Sequence, residues 1–80
     1  MQIPVIKQLA ENFDLAQLRA AEEAILNEQP APFPVEGKDE GEKLTHVLAA
    51  IEIVNDMQKN HLEFRTALRN YTQRVRNSIN

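Results

Sequence analysis

The sequence predicts an all-α fold: a compact bundle of three to four helices, with a proline-rich strap between the second and third. Three observations carry that expectation. Apolar residues recur at helical spacing along most of the 80 residues. Capping patterns stand directly before two of the apolar runs. Three prolines, Pro30, Pro32 and Pro34, are gathered into one short stretch where no helix can form.

The first helix is expected over roughly 4–12, with Pro4 at the first helical position, where a missing N–H goes unnoticed. Ile3, Ile6, Leu9, Ala10 and Phe13 supply its apolar spacing. Asp14-Leu15-Ala16-Gln17 then has the form of a capping box, and Phe13 and Leu18 stand where a hydrophobic staple would place them. A second helix is therefore expected over about 15–28.

From about 29 to 38 the prolines favour an extended, polyproline-like backbone. Phe33 and Val35 are its large apolar side chains, so a surface strap pinned by Phe33 is expected rather than a free linker. Asp39 can cap a third helix over about 41–59, with Glu42 at its third position, and Asn60 is a candidate left-handed terminator. A fourth helix follows over about 63–78, with Phe64, Leu68, Tyr71, Val75 and Ile79 on one stripe.

The third helix is apolar over an unusually wide arc. Leu44, Val47, Leu48, Ile51 and Val54 share one face, Ala50 and Met57 widen it, and Ile53 falls nearly opposite. Either this helix is central in the bundle or its second side is an interface. A chain this short buries only about 60% of its unfolded surface. With no cysteine to reinforce it, self-association is the expected remedy, a homodimer first. Ala50, Ile53 and Met57, with Leu15 and Leu26, are the candidate interface.

Composition narrows the function. An apolar fraction of 42% suits a globular protein. No run approaches the ~20 residues a membrane span needs, and the N-terminus has no basic segment before an apolar one. A cytoplasmic protein is expected. The net charge of −3 opposes general attraction to nucleic acid, although residues 62–80 hold four arginines against Glu63 alone. Arg65, Arg69 and Arg76 fall on one side of the last helix, so phosphate binding there is the alternative reading. Ion pairing of these arginines with Glu11, Glu22, Glu23 or the strap is the plainer one. Glu22 itself lies inside the apolar arc of its helix: the plainer reading is a flank residue whose carboxylate reaches solvent, the sharper one a semi-buried carboxylate paired with an arginine or His46.

Catalytic constellations are not apparent. Glu42 and His46, four residues apart on one helix, could hold a metal ion, but two ligands are too few and His61 is remote. A Glu–His pair on the helix surface is expected instead, with no metal and no cofactor. The glycines, Gly37 and Gly41, do not form a phosphate loop, and a serine triad would have to use Ser78 near the chain end. The expected protein is non-enzymatic.

Three stretches carry a family resemblance: Ile3-Pro4-Val5-Ile6-Lys7-Gln8-Leu9; Asp39-Glu40-Gly41-Glu42-Lys43-Leu44-Thr45-His46-Val47-Leu48-Ala49-Ala50; and Thr66-Ala67-Leu68-Arg69-Asn70-Tyr71-Thr72 with Arg74-Val75-Arg76. Together they resemble a family of small bacterial proteins of about this length, a domain of unknown function. The resemblance implies a free-standing bacterial cytoplasmic protein and assigns no activity, ligand or catalytic residue. The sequence reading as a whole is a homo-oligomeric interaction or accessory module.

Overall fold

Helical spacing and capping chemistry decide where this chain folds locally, and the computed structural model follows them closely. It describes residues 2–79, with side chains through residue 77. Four helices form: α1 (Ile3–Asn12), α2 (Leu15–Leu26), α3 (Glu40–Asn60) and α4 (Phe64–Ile79). A single all-α unit results, as the sequence predicts; the side chain of Ile79, read as the end of the α4 stripe, lies outside the described residues.

The capping box at α2 is complete. Asp14 Oδ1 accepts from the Gln17 N–H at 2.8 Å, and Gln17 Oε1 accepts from the Asp14 N–H at 3.0 Å. At α3, Asp39 Oδ1 accepts from the Glu42 N–H at 2.8 Å, while Glu42 Oε1 reaches one residue further back to the Lys38 N–H at 3.0 Å. The cap thus also fixes the last residue of the strap.

The termini differ from expectation in three places. α1 begins at Ile3, so Pro4 is its second residue; the first turn leaves that N–H unpaired in any case. α2 stops at Leu26, because Glu28 adopts a left-handed φ of 57°. Glu28 N–H then donates to the Ile25 carbonyl and Gln29 N–H to the Ala24 carbonyl, a Schellman closure without glycine. α3 ends with His61, not Asn60, in the left-handed conformation, at φ 54°. The Asn60 side chain instead donates to Asp56 Oδ1.

α3 is the axis of the fold. α1, α2 and α4 each pack against it. α1 runs parallel to α3, since Gln2 meets His46 while Ala10 and Phe13 lie beside Val54 and Met57. α2 and α4 run antiparallel to it, with Leu26 beside Leu44 and Tyr71 beside Leu48. The strap folds back over the α1–α2 joint, where the Phe33 ring stacks on Phe13 at 3.7 Å between centroids. Its return leg passes so close to α3 that a Cβ at Gly37 would meet the Lys43 main-chain nitrogen at 2.8 Å.

This arrangement corrects the expected interface. Ala50 and Ile53 are fully buried within the chain, and Met57 and Leu15 are half-buried against the core. Only Leu26 of the five is freely exposed. The centre of burial on α3 runs through His46, Ala49, Ala50, Ile53 and Asp56, so the helix is turned from the orientation that its largest side chains suggest. Leu48, expected in the core, lies on the outward stripe with Thr45, Glu52 and Asn55. Small alanines let α1 and its neighbours approach closely, and that proximity outweighs the size of Leu48.

Ile53→Ala should therefore cost about 2–5 kcal/mol, a large share of the ~4–12 kcal/mol available to a chain of this size. Leu26→Ala should stay within about 0.5 kcal/mol. Gly37→Ala should also destabilise, because the main chain of α3 must give way. Urea unfolding of the three variants checks the order; equal losses for Ile53 and Leu26 would contradict the burial described above.

Candidate functional site

Three helices surround α3, and its fourth side is open. There the outward stripe of α3 forms the floor of a cleft of about 660 Å³, walled by α2 and α4. Leu48, Ile51, Glu52 and Asn55 make the floor, Arg19 and Glu22 the α2 wall, and Tyr71, Arg74 and Val75 the α4 wall. The size is that of a ligand or side-chain docking site. Its centre is apolar and its rim carries two cations and two carboxylates.

Within the rim, Arg74 reaches Glu52 at 3.7 Å, both groups being more than half exposed. An exposed pair of this length contributes little to stability. Arg19 and Glu22 form no ion pair among the described residues, which leaves the α2 wall free to pair elsewhere. Burial raises the pKa of the Tyr71 hydroxyl above its ordinary 10, the nearby Glu52 carboxylate raises it further, and the Arg74 guanidinium offsets part of the effect.

The candidate ion-pair residues do not converge. Glu22 is half-buried on the α2 wall. Arg65 lies on the far side of α4, beside Ile3 and Lys7 of α1. Arg69 and Arg76 are exposed further along α4. None of these three arginines lines the cleft with Glu22. The arginines that line the cleft are Arg19 and Arg74.

The Glu42–His46 surface pair is replaced by something different. His46 is fully buried. Its Nε2 accepts from the Gln2 N–H at 3.0 Å, and its Nδ1 lies 2.8 Å from the Glu36 carbonyl. Because Gln2 N–H can only donate and the Glu36 carbonyl can only accept, the ring is neutral with its proton on Nδ1. Glu42 is turned away to Lys38, and among the described residues no cluster of three or more potential ligands could hold a metal ion.

Asp56 was missed as well: its position reads as surface polar, yet it is 8% exposed, with Oδ2 unpartnered among the described residues. Asn60 four residues later was the available signal for its Oδ1. Nothing in the sequence marks the orphaned oxygen.

Tyr71 is the single tyrosine and tryptophan is absent, so phenolate absorbance reports on the cleft directly. Its midpoint should lie above pH ~10, and Glu52→Gln should lower it while Arg74→Ala raises it. Identical midpoints in all three proteins would place Tyr71 away from both charges.

No helix among the described residues is long and apolar enough to cross a membrane. No curated protein and no solved structure matches the chain. One family model does, over residues 1–80, the whole length. The chain belongs to that family, DUF6952, a family of unknown function.

Proposed function

We propose that this protein is a non-enzymatic helical interaction module that acts as a homodimer, a second copy closing the open side of α3. The observation that carries this reading is the cleft, where the central helix of a small bundle leaves Leu48 38% exposed between two walls of mixed charge. The occupant follows from the charge pattern. Each side of the cleft presents one cation and one carboxylate: Arg19 and Glu22 on the α2 wall, and Arg74 on the α4 wall paired with Glu52 at the edge of the α3 floor. A two-fold axis across the cleft sets Glu22 of one copy opposite Arg74 of the other and Arg19 opposite Glu52, so the rim is complementary to itself.

The apolar part is modest. Completing the burial of Leu48, Ile51 and Val75 recovers only a fraction of the ~1.5–3 kcal/mol that each fully buried side chain contributes. A micromolar dimer is the expected strength rather than an obligate one. The imidazole that could have served acid–base chemistry is committed to the main chain at both nitrogens, which favours a binding role over catalysis. A cytoplasmic location fits the absence of cysteine.

A second reading rests on α4, which carries four arginines and no carboxylate. Phosphate or nucleic-acid binding through Arg65, Arg69 and Arg76 would show as affinity for single-stranded or duplex oligonucleotides falling steeply with salt.

Sedimentation velocity from 5 to 500 µM should show conversion from the 9.1 kDa monomer to a dimer. Leu48→Glu should abolish it with little loss of fold, Arg74→Glu should weaken it, and the double variant Glu22→Arg with Arg74→Glu should recover it. A strict monomer at 500 µM removes the dimer. A dimer indifferent to Leu48→Glu moves the interface away from the cleft.

A further inference from the structure

His46 ties three segments together through main-chain atoms alone. α3 supplies the ring, the Gln2 N–H at the head of α1 donates to Nε2, and the Glu36 carbonyl of the strap accepts from Nδ1. Gln2 is also the residue on which α1 closes, since its carbonyl accepts from the N–H groups of Val5 and Ile6. The rest of the attachment of α1 is apolar: Val5, Ile6 and Leu9 are buried, and Ala10 packs against the core. α1 has ten residues, too few to persist as a helix away from the bundle.

We infer that His46 is an acid-sensitive latch, and that its protonation at Nε2 releases α1 from the central helix. In the neutral ring Nε2 holds a lone pair toward the Gln2 N–H. A proton taken up there turns the acceptor into a donor facing a donor, and places a cation in a fully buried position. Neither strain is relieved by a neighbouring carboxylate. On the strap, the Glu36 side chain is exposed and Lys38 is a cation. On α3, the Glu42 carboxylate is held by the Lys38 N–H, and Lys43 is paired with Glu40 at 3.2 Å. On α1 the nearest charge in sequence is Lys7, which is exposed. The folded arrangement accepts the neutral ring only, so each proton bound favours the opened form.

The sign and size follow from one-proton linkage. The folded form holds Nε2 as an acceptor and the opened form can take up the proton, so the opened population rises as pH falls, by at most about tenfold per pH unit. Asp56 is also buried, so the His46→Gln comparison is what assigns any pH dependence to the imidazole. His61, exposed at the end of α3, is an internal control.

Amide hydrogen exchange read by NMR on the full chain at pH 7.5, 6.0 and 5.0, corrected for intrinsic rates, tests the inference. Expected is an approximately tenfold fall in protection of residues 6–12 between pH 6.0 and 5.0, while the α3 amides of residues 47–54 stay at least tenfold better protected. His61→Gln should behave as the parent, and His46→Gln should lose the pH dependence. Unchanged protection of residues 6–12 overturns the latch. So does protection of residues 6–12 equal to that of residues 47–54 at pH 5.0, which would mean that the two open together in global unfolding. Should His46→Gln fail to fold, the imidazole nitrogen shifts of the unaltered protein decide: a ring still neutral with its proton on Nδ1, and α1 still protected at pH 5.0, is equally fatal.

Discussion

Everything in this fold is referred to one neutral imidazole. A buried histidine satisfied by two main-chain groups does what a disulfide or a metal does in other small domains, joining segments that their own apolar surface holds only weakly. α1 contributes three buried side chains and the strap only half-buried ones, so a directional contact adds what their small apolar surface does not supply. Hydrogen bonds to His46 give that direction. They are made to backbone atoms, so the residue types at Gln2 and Glu36 matter less than the path of the chain through them.

Around this point, the bundle is asymmetric by construction. The strap spends its length folding back over the α1–α2 joint, where Phe33 stacks on Phe13, instead of crossing the outer face of α3. Gly37 lets the returning backbone lie against Lys43, and the Lys38 N–H bond to Glu42 locks it there. One side of α3 is thus covered by α1, and the side between α2 and α4 is left open among the described residues. The cleft is a consequence of where the strap goes.

The helices themselves were legible because their signals are local. A capping box, a run at 3.6-residue spacing and a cluster of prolines each act within a few residues, and all four elements form within a residue or two of their expected ends. The rotation of α3 was not legible. Periodicity weights large side chains, and Leu44, Val47, Leu48 and Ile51 outweigh Ala49 and Ala50 on any such measure. Packing weights approach: the alanines admit neighbours where leucine would hold them off, and the buried face moved toward them, carrying His46 and Asp56 inside. Ile53, which looked misplaced on the wheel, is on the axis of the true core. His46 was read as a surface residue because its partners, Gln2 and Glu36, are main-chain groups distant in sequence, and side-chain patterns carry no trace of them.

Asp56 shows the same packing decision from its unfavourable side. Turning α3 toward its alanines buries a carboxylate with one oxygen unpartnered among the described residues, a state that ordinarily costs more than a hydrogen bond returns. Natural chains tolerate such a group where the alternative is worse, and here the alternative orientation would withdraw His46 from Gln2 and Glu36 and expose Ile53. The orientation of α3 is therefore a compromise in which the histidine contacts and the Ile53 burial win against Asp56. Leu48 is the other loser, left outside on the polar stripe. The exposed leucine and the buried aspartate are two ends of one rotation, and the first of them supplies the apolar centre of the cleft.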